Sequence, residues 1–141
     1  MLKIVLFFIF FEFAFSLDAT MEIVKNKSNL PTISVVSSND SIKYNSIDSK
    51  ILKLIQKDLQ VSSHFNDSSI VIETEFNDAP KYTMLRDNGI DLYLVFQVKQ
   101  DLQKQYVVNI KLYDVNSNML VLNKSYSTST YERHVFLAHK V

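Results

Sequence analysis

The sequence predicts an α/β fold: a mixed β-sheet of about five strands that ends in an antiparallel meander, with two to three helices packed on it. Three patterns predict this. Leu92-Tyr-Leu-Val-Phe-Gln-Val98 is apolar almost without a break, which suits a central strand buried on both faces. Tyr106 to Tyr113 and Met119 to Tyr126 carry the period-two alternation of strands. Ile47, Ile51, Leu54, Ile55 and Leu59 recur at helical spacing. The chain has 141 residues, enough for one domain and not for two.

The elements follow in order. Met1-Leu-Lys3 and the apolar run to Phe15, interrupted by Glu12, read as a secretory leader over residues 1–16. The run is too short to span a bilayer, which takes about 20 apolar residues. Ala14-x-Ser16 places small residues for cleavage between Ser16 and Leu17, and Ala19 offers a second cut. Ala19 to Lys25 reads as a short extended segment with Met21, Ile23 and Val24 as its apolar members. Leu30 to Val36 alternates, with Pro31 confined to the strand start because it has no N–H to donate. The helix from about Ile47 has Ser46 or Asp48 as its cap and Lys50, Lys53, Lys57 and Gln60 on its solvent face. Ser62 to Ser69 leaves the helix, Phe65 tucks under the sheet, and Ile70 to Ile72 pairs briefly. Ala79-Pro80 opens a short second helix that runs to Asn88, and Gly89 ends it in a left-handed conformation.

The meander follows, with turns at Asp101–Lys104 and Asp114–Asn118. Tyr106, Val108, Ile110 and Leu112 face one side of its middle strand, and Leu120 and Leu122 share a face of the last. From Thr130 a helical stripe of Tyr131, Val135 and Ala138 stops at Val141, so the last helix reads as cut short.

Composition narrows the chemistry. Fifteen Lys and Arg balance fifteen Asp and Glu, so there is no basic excess for nucleic-acid binding. There is no Cys, hence no disulfide, thiol nucleophile or zinc knuckle. The single Gly excludes dinucleotide fingerprints, P-loops and nucleophile elbows, which need at least two. His134 and His139 are five apart, off the i, i+4 spacing of helical zinc ligands. Asp87, Asp91, Asp101 and Asp114 fall at helix ends and turns, where Asp bonds its own backbone. The Asn-x-Ser triplets at Asn26, Asn39, Asn66 and Asn123 are accounted for by the abundance of Asn and Ser. No cofactor, metal or small-molecule substrate is indicated, and the chain does not read as an enzyme.

Five stretches carry a likeness. Leu30-Pro31-Thr-Ile-Ser-Val-Val36 is followed by a helix ending Asp58-Leu59-Gln-Val-Ser62-Ser63-His-Phe65. Asn88-Gly89-Ile-Asp-Leu-Tyr-Leu-Val95 leads into the central strand, and Val107 to Tyr113 ends in Asp114. Arg133 precedes Ala138-His139-Lys140. In this order, over residues 17–141, the chain resembles the amino-terminal domain of the TolB family of the Tol–Pal system.

The resemblance implies a non-enzymatic periplasmic protein of the cell envelope, serving outer-membrane integrity, protein import and cell division. It implies that the extended segment, here Met21, Glu22, Ile23 and Val24, contacts a TolA-like inner-membrane protein. In the family the lipoprotein Pal binds a β-propeller that follows this domain. No propeller follows in this sequence, so Pal is not carried over. Where the family has glycines in its turns, this chain has Lys25, Asn29 and Ser63. Two other readings stand beside this one: a non-functional gene fragment, and an unrelated small secreted ligand-binding domain or enzyme.

Overall fold

The computed structural model describes residues 30–41 and 47–128. Strand β1 (Thr32–Ser37) is followed by helix α1 (Ile47–Ser62), β2 (Asn66–Ser68), the short helix α2 (Tyr82–Asp87), then β3 (Leu92–Gln100), β4 (Tyr106–Asp114) and β5 (Met119–Thr128). The sheet order is β2-β1-β3-β4-β5. β1 lies parallel to both β2 and β3, and β3, β4 and β5 form the antiparallel meander. The α/β class, the five strands and the terminal meander match the sequence expectation.

The two crossovers run in opposite directions along the sheet: β1 to β2 outward, β2 to β3 back past β1. With the usual right-handed sense they must cover opposite faces, and the core divides accordingly. On one face Ile47, Ile51 and Ile55 of α1 pack on Ile33, Val35, Leu94, Phe96, Val98, Val108 and Ile110. On the other, Ile72, Phe76, Leu85 and Ile90 from the β2–β3 connection pack on Val36, Tyr93, Val95 and Tyr113. β3 is therefore buried on both faces, with its residues from Tyr93 to Val98 all buried. That is the physical reason for its unbroken apolar run. The Lys50, Lys53 and Lys57 face of α1 is exposed as expected.

Four local expectations need correction. The fifth described strand is β2, three polar residues in the stretch read as a loop, and Ile70–Ile72 is not a strand. Ile70 and Ile72 instead pack on the second cluster, while Val71 points into solvent. Helix α2 starts at Tyr82, after Pro80, with Lys81 as its N-cap residue and no side-chain cap. The β4–β5 register slips between Leu112 and Tyr113, so Leu122 lies opposite Leu112 but Leu120 lies opposite Tyr113. Val121 is the extra residue of this β-bulge, and Leu120 and Leu122 no longer share a face. The predicted extended segment at 19–25, the Ser46 cap and the predicted helix from Thr130 lie outside the described residues.

Gly89 closes α2 with φ +71°. Its N–H donates to the carbonyl of Arg86, the N–H of Ile90 donates to that of Leu85, and Ile90 and Leu85 bury together. This is a Schellman cap with its hydrophobic contact. A Cβ at Gly89 would meet nothing within 4 Å, so Gly89→Ala is expected to cost only the backbone strain, about 1 kcal/mol. Urea unfolding at constant m-value checks it. Ser63 takes the same left-handed region at φ 56° directly after α1, carrying the strain that a glycine there would relieve.

Candidate functional site

The residues expected to bind a partner, Met21, Glu22, Ile23 and Val24, lie outside the described residues, as do Ser16 and Leu17 at the expected cleavage point. The structure places the root of that segment. Leu30 and Pro31 enter β1 at one end of the sheet, and Asn66 holds both. Its backbone N–H donates to the Pro31 carbonyl at 3.0 Å and its side-chain amide to the Leu30 carbonyl at 3.0 Å.

Asp91 is the hub of this end. Its backbone N–H donates to the Thr32 carbonyl at 2.9 Å, and its Oδ2 accepts the Thr32 N–H at 2.8 Å. Its Oδ1 accepts from Asn116 Nδ2 at 3.2 Å, and its carbonyl accepts the Val115 N–H at 2.9 Å. One residue thus joins the starts of β1 and β3 to the β4–β5 turn. Asp114 Oδ1 accepts the N–H groups of Asn116 and Ser117 at 2.9 and 3.2 Å. The Ser117 N–H above all holds the Asp114 carboxyl below the usual carboxylate range.

Around these residues lies an open groove of about 640 Å³, lined by Leu30, Pro31, Thr32, Asn66, Asp91 and Asp114 among others. Asp101 and Asp114 act as the local turn formers the sequence suggested, Asp101 accepting from Gln103 and Gln105. Asp91 does not: it reaches Thr32, 59 positions away, and no local signal marks that contact.

A second polar cluster interrupts the core. Gln97, fully buried in β3, donates its side-chain amide to Asp40 Oδ2 and accepts from Asn109 at 3.4 Å. Burial works to raise the Asp40 carboxyl, but hydrogen bonds from the Ser38 hydroxyl and the Phe76 N–H hold it below the ordinary range. Buried Ser41 accepts the Val98 N–H at 3.1 Å. These bonds fasten the loop after β1 to the sheet, which is a structural task, since each polar group is occupied by another. Nearby, burial pushes the Tyr93 hydroxyl up to about 12, against a hydrogen bond from Thr74, so it stays neutral and offers no base. Among the described residues no three His, Cys, Asp or Glu side chains are grouped to hold a metal. Nor is any described helix long and apolar enough to cross a membrane.

The site is thus a strand root beside a groove, and comparison with known proteins gives the family of the chain. The model of the TolB amino-terminal domain matches residues 19–121. The chain belongs to the TolB amino-terminal domain family. It is 35% identical over 131 residues to the Tol-Pal system protein TolB of Wolinella succinogenes, covering 90% of this chain and 30% of that protein. The TolB of Helicobacter hepaticus is 34% identical over 129 residues, again with 90% of this chain and 29% of the relative. The chain therefore spans about 30% of the length of these relatives.

The crystal structure of TolB from Acinetobacter baumannii shares the fold, with a TM-score of 0.62 at 22% identity over 79% of this chain and 26% of that one. The PelC dodecamer from Paraburkholderia phytofirmans shares it more distantly, with a TM-score of 0.54 at 13% identity, over 79% of this chain and 81% of that one. In PelC this fold makes up most of a chain, whereas in TolB it is the smaller part of one. The TolB amino-terminal match begins at residue 19, so it includes Met21–Val24 as well as the groove.

Proposed function

We propose that this chain is a periplasmic, protein-binding domain of the Tol–Pal system that catalyses no reaction. In this reading residues 1–16 export it, and the segment Met21-Glu-Ile-Val24 binds a TolA-like inner-membrane protein, in support of outer-membrane integrity, protein import and cell division. The observation that carries the reading is the family match, which extends through that segment to residue 19.

The physics supports it. An extended segment adds to the edge of a partner's sheet through its backbone N–H and C=O groups, and alternate side chains give specificity. Here Glu22 and Val24 would alternate with Met21 and Ile23. The described side chains supply anchors and turn formers, and the only strongly displaced hydroxyl among them is one kept neutral by burial.

The test is a pull-down of the chain from Leu17 onward with the carboxy-terminal domain of TolA from the same bacterium. Binding is expected, and deletion of Leu17–Val24 is expected to abolish it. Undiminished binding by the deleted chain would overturn the strand-addition mechanism.

A further inference from the structure

The chain has one glycine, and it follows an asparagine, so Asn88-Gly89 is the single Asn-Gly step in the sequence. This pair carries its own chemistry. The Gly89 nitrogen can attack Asn88 Cγ to close a five-membered imide, and glycine has no side chain to shield that nitrogen. Both residues are exposed, so water reaches them. The α2 cap opposes the attack in three ways. The Gly89 N–H donates to the Arg86 carbonyl at 2.9 Å, which retains the proton that the nitrogen must lose. The Asn88 side-chain amide donates to the Met84 carbonyl at 2.8 Å, which holds the carboxamide back along the helix. Asn88 itself stands at φ −94° and ψ 8°. At that ψ the Gly89 nitrogen lies well round from Cβ, whereas ring closure needs the two eclipsed about the Cα–C bond. Reacting atoms must come within about 3–3.5 Å in alignment, and the closed cap forbids it.

We propose that Asn88 is a self-modification site that the folded cap keeps silent and that opening of α2 releases. The step needs only water. The Gly89 nitrogen bonds to Cγ, the Cγ–Nδ2 bond breaks, and Nδ2 leaves as ammonia with the proton that Gly89 gave up. Water then adds to one of the two imide carbonyls. Cleavage at Cγ restores the ordinary backbone with an aspartate side chain, and cleavage at the backbone carbonyl leaves the chain running through the side chain as isoaspartate. Either product puts a negative charge at the carboxy end of a helix, where it is unfavourable, and removes the donor to Met84. Isoaspartate also adds a backbone carbon inside the cap, so the Gly89–Arg86 and Ile90–Leu85 bonds lose their register. Leu85 and Ile90 are buried in the second cluster. The change therefore keeps part of that face open, and the site is a one-way record of local unfolding.

The test follows the chain from Leu17 onward in heavy-oxygen water, folded in buffer and unfolded in guanidinium chloride, with the peptide that holds Asn88 read by mass spectrometry. In the unfolded chain heavy oxygen should enter at Asn88 before any other asparagine. In the folded chain it should enter at least about tenfold more slowly, in proportion to the time the cap spends open. Arg86→Ala removes the side chain that ties α2 to the Val115 carbonyl and to Asn118 Oδ1 and leaves Asn88-Gly89 itself unchanged. Its ratio of folded to unfolded rate should rise about fivefold, the factor for one lost hydrogen bond. If circular dichroism shows that variant unfolded, Asn118→Ala, which removes only the outer bond, takes its place with a smaller rise expected.

Equal rates in the folded and unfolded chains would overturn the proposal, because the cap would then guard nothing. So would an unchanged ratio in the folded variant, or no heavy oxygen at Asn88 in the unfolded chain. No partner protein takes part, so failure here leaves the partner-binding reading untouched.

Discussion

Phe96→Ala should destabilise the domain by about 3–5 kcal/mol, the cost of removing a fully enclosed aromatic ring and leaving a cavity. Phe96 sits at the centre of the central strand with no exposed surface. It lies opposite Ile110 on β4 and packs in the cluster that Ile47, Ile51 and Ile55 close from above. A domain of this size is stable by about 5–15 kcal/mol in all, so the variant should melt at least about 10 °C lower. Leu102→Ala is the matched control. Leu102 is fully exposed at the tip of the β3–β4 turn, and its loss should stay within about 0.5 kcal/mol. A Phe96 variant no less stable than the Leu102 variant would mean that α1 does not cover the sheet as described.

Asp91→Ala should cost about 2–3 kcal/mol, a large effect for a partly exposed polar residue. The substitution removes acceptors for the Thr32 N–H and the Asn116 amide together. The Thr32 N–H is half-buried and precedes the β1–β3 ladder, which starts at Ile33 and Leu92. Losing a charge-assisted partner there costs about 1.5–3 kcal/mol. Asp91→Asn keeps one accepting oxygen and should fall between the Ala variant and the parent. Equal stability of all three by urea unfolding would mean that the strand starts are held by the ladder alone. Hydrogen exchange localises the effect: the N–H groups of Thr32 and Val115 should lose protection before those of β3.

These two residues also show how far the sequence could be read. Phe96 was legible because burial on both faces leaves an unbroken apolar run, and α1 because one buried face leaves a 3.6-residue stripe. Gly89 was legible because only glycine takes a left-handed cap without strain. β2 was not. Asn66-Asp-Ser68 has no strand propensity, and it pairs with Thr32–Ser34 because the crossover through α1 delivers it there. The more apolar Ile70–Ile72 looked like the better strand but serves as cover for the second face. The slip at Val121 is equally silent in a two-residue alternation.

The site divides in the same way. The turn-forming part of Asp114 is local and could be read from the sequence. The Asp91–Thr32 and Gln97–Asp40 contacts join positions 59 and 57 apart, and nothing in either neighbourhood announces them. The family was legible because its short motifs keep their order along the chain, not because any one of them is distinctive.

The proposed function requires a folded domain that offers an extended segment to another protein. Titration calorimetry of the TolA carboxy-terminal domain into the chain from Leu17 onward, and into the same chain lacking Leu17–Val24, measures this most directly. Saturable binding by the longer chain is expected, with at least a tenfold larger dissociation constant for the shorter, a difference of about 1.4 kcal/mol or more. Equal constants, or no heat from either chain while both give the same folded circular-dichroism spectrum, would contradict it.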